Sequence, residues 1–241
     1  MPARALHRIP ALRLAVAAAF LSLSLLAPAA LALPQDGGTS RDSDPQTRQV
    51  NVYTRSHQTQ VTVASAPDGS SVAAWSSRRQ EAGTDGVFAR ALDAWGHPVG
   101  DEVRVNATVA GAQTQPAVGR ASDGSTWIAW ISDLGPGHVS VLARRFSRQL
   151  EPLTGEIALD PESPWAGAPT LTVDASGRAF VAWLGNAGGP QQLRGRWLEA
   201  SGRLAEEVLS LSDPDLHADP PAVAALSDGR QVVVWPQAGL G

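Results

Sequence analysis

Four times in this chain a glycine is followed six positions later by a tryptophan: Gly69 and Trp75, Gly124 and Trp130, Gly177 and Trp183, Gly229 and Trp235. The whole chain holds only eight tryptophans, so one offset shared by four of them specifies a repeated structural unit. Successive glycines lie 55, 53 and 52 residues apart, so length changes fall outside the Gly-to-Trp module and the module itself is fixed.

The chemistry of the module names its elements. Asp68, Asp123 and Asp228 precede the glycine in three copies, with Ser176 as the variant, and Asp-Gly turns a β-hairpin because glycine carries no Cβ penalty at positive φ. An extended run precedes each turn, from Val61, Pro116, Pro169 and Pro221, and predicts a first strand. The runs after the turn, VAAW, WIAW, FVAW and VVVW, are apolar at every position. A sheet with one wet face would alternate, so both faces of this second strand must be covered by other sheets. Burial of each tryptophan contributes about 2–3 kcal/mol, which makes the four of them the core framework together with their turn glycines.

A third run follows from Val87, Val139 and Gln192, and a fourth from Glu102, Glu156 and Glu206. Four strands in a repeat of about 50 residues is the dimension of a propeller blade. The fold class read from the sequence is therefore all-β, a propeller-like stack of four-stranded antiparallel blades, incomplete or four-bladed. Repeats are placed at 58–111, 112–166 and 167–217, with a partial copy at 218–241. Val50-Asn51 precedes Gln58 by the interval that separates Val105-Asn106 from Gln113, which predicts an orphan fourth strand at 50–54 and 15 strands in all. Either the orphan strand joins the C-terminal pair and closes a small ring, or the chain is the N-terminal part of a longer array.

Ahead of the repeats, Arg4, Arg8 and Arg13 lead into an apolar run from Leu14 to Leu33, and Ala30-Leu31-Ala32 follows the helix-breaking Pro28. This is the layout of a secretory signal peptide at 1–32, with an uncleaved membrane anchor as the alternative. Residues 33–49 are rich in Gly, Pro, Ser and Asp and read as a flexible linker. The expected location is secreted or periplasmic. All basic residues are arginine, the mark of a GC-rich bacterial coding bias. Without the leader, 16 arginines face 23 acidic residues, about −7 in net charge, so nucleic acid and anionic membrane surfaces are poor partners. No cysteine is present, which excludes disulfides and a thiol nucleophile.

The pattern Gln-x-x-Pro-x-Val, Asp-Gly-x-x-Val-x-Trp, Arg-Phe and Gly-x-Glu-x-x-Val-Asn resembles the tandem repeats of about 50 residues in large secreted bacterial proteins. Gln113, Pro116, Val118, Asp123, Gly124, Ile128, Trp130, Arg145, Phe146, Gly155 and Glu156 carry it in one copy; Gly100, Val105 and Asn106 carry its end in the copy before. The resemblance covers about residues 48–241 and implies a propeller-like fold without an assigned activity. Ser147 and Glu151 depart from it, as does Trp197 after Arg196. Ser122-Asp123-Gly124-Ser125-Thr126-Trp127 is weakly similar to the Asp-box of sialidases, one residue short between aspartate and glycine.

Arg90, Arg145 and Arg196 stand at similar places in three copies and offer a ligand-binding set for a carboxylate, sulfate or sugar acid. The competing expectation pairs them with Glu102, Glu156 and Glu207 across a hairpin, a surface contact of about 0.2–1 kcal/mol. Tyr53 is the only tyrosine, no Gly-x-Ser-x-Gly elbow exists, and His57, His97, His138 and His217 lack metal-ligand spacing. No catalytic residue is therefore assigned. Asp160-Pro161-Glu162 and Asp213-Pro214-Asp215, near Asp219, are the only candidates for calcium. Gly185 to Gly189 opens no helix and is not a phosphate loop. These readings converge on an exported binding or scaffold module for an unidentified extracellular ligand, a glycan or a protein. The alternatives are a hydrolase or lyase with an axial-channel site, and a structural array in a larger surface protein.

Overall fold

The computed structural model describes residues 48–81, 84–161, 163–186, 189–213 and 216–239. The leader at 1–32 and the linker to residue 47 lie outside them, as do Glu162, Pro214 and Asp215 of the acidic stretches. The described chain is all-β. The first blade is β1 (Gln58–Ser65), β2 (Ser71–Glu81), β3 (Thr84–Leu92) and β4 (Pro98–Arg104), hydrogen-bonded in that order. The second is β5 (Ala112–Arg120), β6 (Thr126–Asp133), β7 (Val139–Phe146) and β8 (Ile157–Ala158); the third is β9 (Trp165–Val173), β10 (Ala179–Asn186), β11 (Gln192–Leu198) and β12 (Leu204–Ser210). Two short pairs follow, β14 (Ala222–Ala225) with β15 (Gln231–Val234), and β13 (Leu216–Ala218) with β16 (Gln237–Gly239).

Two details differ from the sequence reading. Residues 50–54 form no strand, because no neighbouring edge offers them a ladder. Val50 instead packs beside Ala73, Trp75 and Phe88, and its carbonyl accepts a hydrogen bond from Arg90 Nη1 at 2.8 Å. The segment therefore does not join the C-terminal pair to close a ring. Beyond the strands read from the sequence, Gln237–Gly239 pairs with Leu216–Ala218.

The hairpin turns repeat atom for atom. Gly69 N–H donates to Ala66 O and Gly124 N–H to Ala121 O, each at 3.0 Å, with the glycines at φ +81° and +84°. Asp68 Oδ1 accepts from the N–H and hydroxyl of Ser70, and Asp123 Oδ1 does the same with Ser125. In the third copy Ser176 replaces that aspartate and the acid moves two positions upstream, where Asp174 Oδ1 accepts from Ser176 N, Ser176 Oγ and Arg178 N. The variant keeps the carboxylate in the turn and changes only its anchor.

These bonds set an acid limit. The hydroxyl and N–H of Ser70, aided by Arg148 at 2.8 Å, hold the Asp68 carboxyl down at about 2, against 3.8 for the free group. A depressed folded value means the contribution is complete above the unfolded value and is lost as pH falls from about 3.8 through about 2. Asp68→Asn should therefore flatten the decline of Tm between these limits, measured by calorimetry; an unchanged decline would show that the turn carboxylate is not linked to stability.

The blades stack through the second strand. Call front the face that carries Trp75, Trp130, Trp183 and Trp235. Val118, Ile128 and Trp130 on the front of the second blade pack against Val72, Ala74, Val87 and Ala89 on the back of the first. Leu171, Val181 and Trp183 of the third meet Trp127, Ala129, Val141 and Ala143 of the second. Val223, Val233 and Trp235 of the last pair meet Phe180, Ala182 and Leu193 of the third. Apolar residues at every position of the second strand thus serve two interfaces at once.

The first strands neighbour one another along the inner side of the stack, and those of the three four-stranded blades are bulged. Gln60, Gln115 and Ala168 adopt φ of +53°, +53° and +48° where the register to the second strand shifts. A left-handed non-glycine residue costs about 1–3 kcal/mol and persists only where the surroundings fix it. Here Gln60 Oε1 accepts from Gln115 N at 2.9 Å, and Gln115 Oε1 accepts from Ala168 N at 2.8 Å.

Candidate functional site

Register decides which arginines are equivalent. Two residues before the recurring tryptophan, Ala73 pairs with Arg90, Ile128 with Arg144 and Val181 with Arg196. The matched set is therefore Arg90, Arg144 and Arg196, and Arg145 is one residue out, on the opposite face. Successive side chains on a strand alternate in direction, so in the doublet Arg144-Arg145 only the pairing distinguishes the two.

The matched arginines join blades. Arg90 donates to Gly100 O through Nε (3.1 Å) and Nη2 (3.0 Å), and Arg144 donates to Thr154 O at 2.9 Å, across the hairpin of the third and fourth strands. Each then reaches the linker entering its own blade: Arg90 to Val50 O, Arg144 to Val105 O at 3.1 Å, Arg196 to Leu159 O at 2.8 Å. They sit on the third strands, two strands out from the inner ones. Arg145 bridges differently: it donates to Ala200 O of the next blade and to Ser125 Oγ, and lies 3.1 Å from Asp123 Oδ2.

The expected arginine–glutamate pairs are replaced. Glu156 Oε1 accepts from Ala107 N at 2.7 Å, and Glu156 Oε2 from Thr108 Oγ1 at 2.6 Å; Glu102 Oε2 accepts from Val52 N at 2.7 Å. These carboxylates hold the linker peptides that the neighbouring arginines hold from the carbonyl side. In the third copy the equivalent linker position is Pro161, which has no N–H to give, and exposed Glu207 is shifted out of register.

Two clefts lie at opposite ends of the blades. The first, about 290 Å3, is lined by Asp68, Ser70, Asp93, Arg120 and Arg148 over Ala91, Leu92 and Val99. Both its carboxyls are held below the ordinary range: Asp68 by Ser70, and Asp93, which desolvation alone would raise, by the His97 N–H and ring and the Trp95 N–H. Desolvation lowers the Arg120 guanidinium, partly offset by Asp68.

The second cleft, about 180 Å3, lies where the loop between β6 and β7 meets the linkers around the second blade. Its lining is rich in hydroxyls: Thr108, Ser132, Ser140 and Ser163, with His138, over Leu134, Leu142 and Pro161. Ser163 Oγ lies 2.8 Å from Trp165 O and 2.9 Å from Asn186 O, which fixes the start of the third blade at its rim. Trp165, which opens β9 outside that lining, is 37% exposed. Its indole lies against Gly167, where a Cβ would come within 3.1 Å of the ring. Sequence reading passed over this cleft because its residues come from three separate linkers and loops and share no spacing.

The calcium candidates separate. Asp160 is buried and ion-paired with Arg194 at 2.7 Å, and among the described residues no three His, Asp or Glu side chains converge. His97 Nδ1 is 3.0 Å from Asp93 Oδ2, His138 Nδ1 is 3.0 Å from Pro136 O, and the Tyr53 hydroxyl donates to Arg79 O.

Fold and register together define a β-propeller-type repeat protein. No protein-family model and no curated protein sequence matches the chain. By structure it is similar to a protein of unknown function from Dyadobacter fermentans DSM 18053, with TM-score 0.55 and 13% identity over 77% of this chain and 63% of that one. It is also similar to Hadza microbial sialidase Hz136, with TM-score 0.50 and 11% identity over 69% of this chain and 39% of the sialidase. The chain thus spans less than two thirds of the length of either, and identities this low establish the fold alone.

Proposed function

We propose that this chain is an exported binding module that takes a glycan at the hydroxyl-lined cleft around His138. The carrying observation is the lining itself: four hydroxyls and an imidazole around a small apolar floor. Sugars are recognised by directional hydrogen bonds to their hydroxyls and by stacking of their C–H faces on aromatic rings. At about 180 Å3 the cleft is below the ~300 Å3 of common ligand pockets, so it takes one sugar unit of a longer chain. The expectation of a secretory leader at residues 1–32 supports a setting in which extracellular glycans are met.

The recurrent polar residues support binding over catalysis. Arg90, Arg144, Glu102 and Glu156 are spent on main-chain partners. Glycoside hydrolysis uses paired carboxyls, one raised in pKa to act as acid, whereas Asp68 and Asp93 are both lowered. A hydrolase reading retains the fold likeness to a sialidase, and a structural-array reading needs no ligand at all.

A glycan array probed with the exported protein separates the three. Retention on a defined set of glycans without turnover is expected, reduced at least tenfold by His138→Ala and preserved in Arg196→Gln. Release of reducing sugar would favour the hydrolase, and retention of no glycan would remove the proposal.

A further inference from the structure

The junction of the first and second blades is built differently from that of the second and third. Ala91, Arg145 and Trp197 are equivalent, each paired with the residue three after the turn glycine. Between the second and third blades Arg145 spans the gap: it donates to Ala200 O and to Ser125 Oγ, and lies 3.1 Å from Asp123 Oδ2. Between the first and second blades Ala91 has no such reach, and the first cleft, about 290 Å3, opens over it. The second blade lines that cleft with two arginines, at places where the other copies are uncharged. Arg120 stands where they have Ser65, Val173 and Ala225. Arg148 lies beside its turn glycine as Ala94 and Ala200 lie beside theirs.

Hydrogen-bonding capacity in this cleft is unbalanced. Every carboxylate oxygen is engaged: Asp68 Oδ1 by the Ser70 N–H and hydroxyl, and Asp68 Oδ2 by Arg148 at 2.8 Å. Asp93 Oδ1 accepts from the N–H groups of Trp95 and His97, and Asp93 Oδ2 lies 3.0 Å from the His97 ring nitrogen. The donors are in surplus. Among the described residues Arg120 makes one hydrogen bond, Nη2 to Ser70 Oγ at 3.2 Å, and its buried Nε has no partner. Arg148 is ion-paired through Nη1 alone, and its side chain is 52% exposed. A buried donor without an acceptor is unfavourable, and burial also opposes the charge of Arg120. What the cleft lacks is an acceptor, and an anionic one complements both arginines.

We propose that this cleft binds a monocarboxylate with a short apolar body, the carboxylate meeting Arg120 and Arg148 and the body lying on Ala91, Leu92 and Val99. A carboxylate matches the planar guanidinium through charge-assisted hydrogen bonds. Two guanidinium groups set against two carboxylates leave too little positive charge for a phosphate dianion. The volume is at the lower end of the range for small-molecule pockets, which starts near ~300 Å3, so the ligand is a small organic acid or the last residue of a peptide. The site lies at the turn end of the blades, away from the hydroxyl-lined cleft, and stands or falls independently of the glycan reading.

The test is isothermal titration calorimetry on the full exported chain. N-acetylleucine should bind, and N-acetylleucinamide, which lacks the charge, should bind about tenfold more weakly or worse. Arg120→Gln should weaken N-acetylleucine about tenfold or more; the side chain is partly exposed, so circular dichroism should be unchanged. Arg230→Gln removes the same charge at the β14–β15 turn and should bind as wild type. Ala91→Arg gives the first blade the side chain that the second carries at Arg145, and should abolish binding by filling the cleft. Tighter binding of acetyl-Gly-Gly-Leu than of isocaproate would mark a peptide terminus as the source of the carboxylate, and the reverse a free acid. No binding of any carboxylate at millimolar concentration would overturn the proposal. Equal affinity for acid and amide, tighter binding of inorganic phosphate, or full affinity in Arg120→Gln would do so as well.

Discussion

Trp130→Ala is expected to destabilise the protein by about 3–5 kcal/mol, the range for removing a buried tryptophan. The ring is fully buried at the junction of the first two blades, among Val72, Ala74, Val118 and Ile128. Its Nε1–H donates to Gln113 Oε1 at 2.9 Å, and Gln113 is itself buried. Truncation therefore leaves both a cavity and a buried amide oxygen without its donor. The third blade supplies the control. Eleven residues before the turn glycine it has Ala166 where the second has Gln113, and Trp183 Nε1 has no hydrogen-bond partner. Trp130→Phe should then cost about 1–3 kcal/mol more than Trp183→Phe, the penalty of an unsatisfied buried polar group. Urea denaturation of the two variants measures the difference, and equal losses would show that the Gln113 bond contributes nothing.

The second large effect is electrostatic. Asp160→Ala strands the guanidinium of Arg194, its 2.7 Å partner, in a site where both side chains are largely buried. Breaking a buried pair from one side costs about 3–5 kcal/mol, whereas replacing both members by apolar residues is often close to neutral. The double variant Asp160→Ala with Arg194→Leu should thus recover most of the stability lost in the single one. A double-mutant cycle in urea gives the coupling directly, and a single variant as stable as wild type would mean that water reaches the pair. The junction of the second and third blades should suffer most, since Leu159, adjacent to Asp160, is part of its core.

What was legible in the sequence follows the strength of local constraint. Turn chemistry and a run that is apolar throughout are local properties, so Gly124 and the residues Trp127 to Trp130 announce a hairpin and a doubly covered strand without reference to the rest. Pairing is not local. Arg144 and Arg145 are neighbours of the same type, and only the register to Trp127 and Ile128 shows which belongs with Arg90 and Arg196. Glu102 and Glu156 stand at a spacing that fits an arginine across a hairpin; the peptides they bind lie 48–50 residues earlier in the chain. Residues 50–54 have the composition of a strand but lack an edge to pair with, and a strand exists only through its partner. The cleft around His138 was invisible for a related reason: Thr108, Ser140 and Ser163 are unremarkable singly and become a site only when strands and linkers from successive blades are brought together.

The glutamine contacts along the inner strands give the stack a direction. Each amide belongs to one unit and grips the backbone of the unit after it, from Gln60 to Gln115 and from Gln115 to Ala168. The third unit has alanine where an amide would extend the series, and the fourth has Pro220, nine residues before Gly229, with no N–H to give. The accepting amide and the N–H that would donate to it are thus dropped together at the same step. The copies are consequently not interchangeable parts: exchanging the second and third would leave Gln60 facing a neighbour it can still hold, but that neighbour would hold nothing in turn. Any permuted or spliced version of this protein inherits that polarity, and should preserve the order of its first three units to keep it.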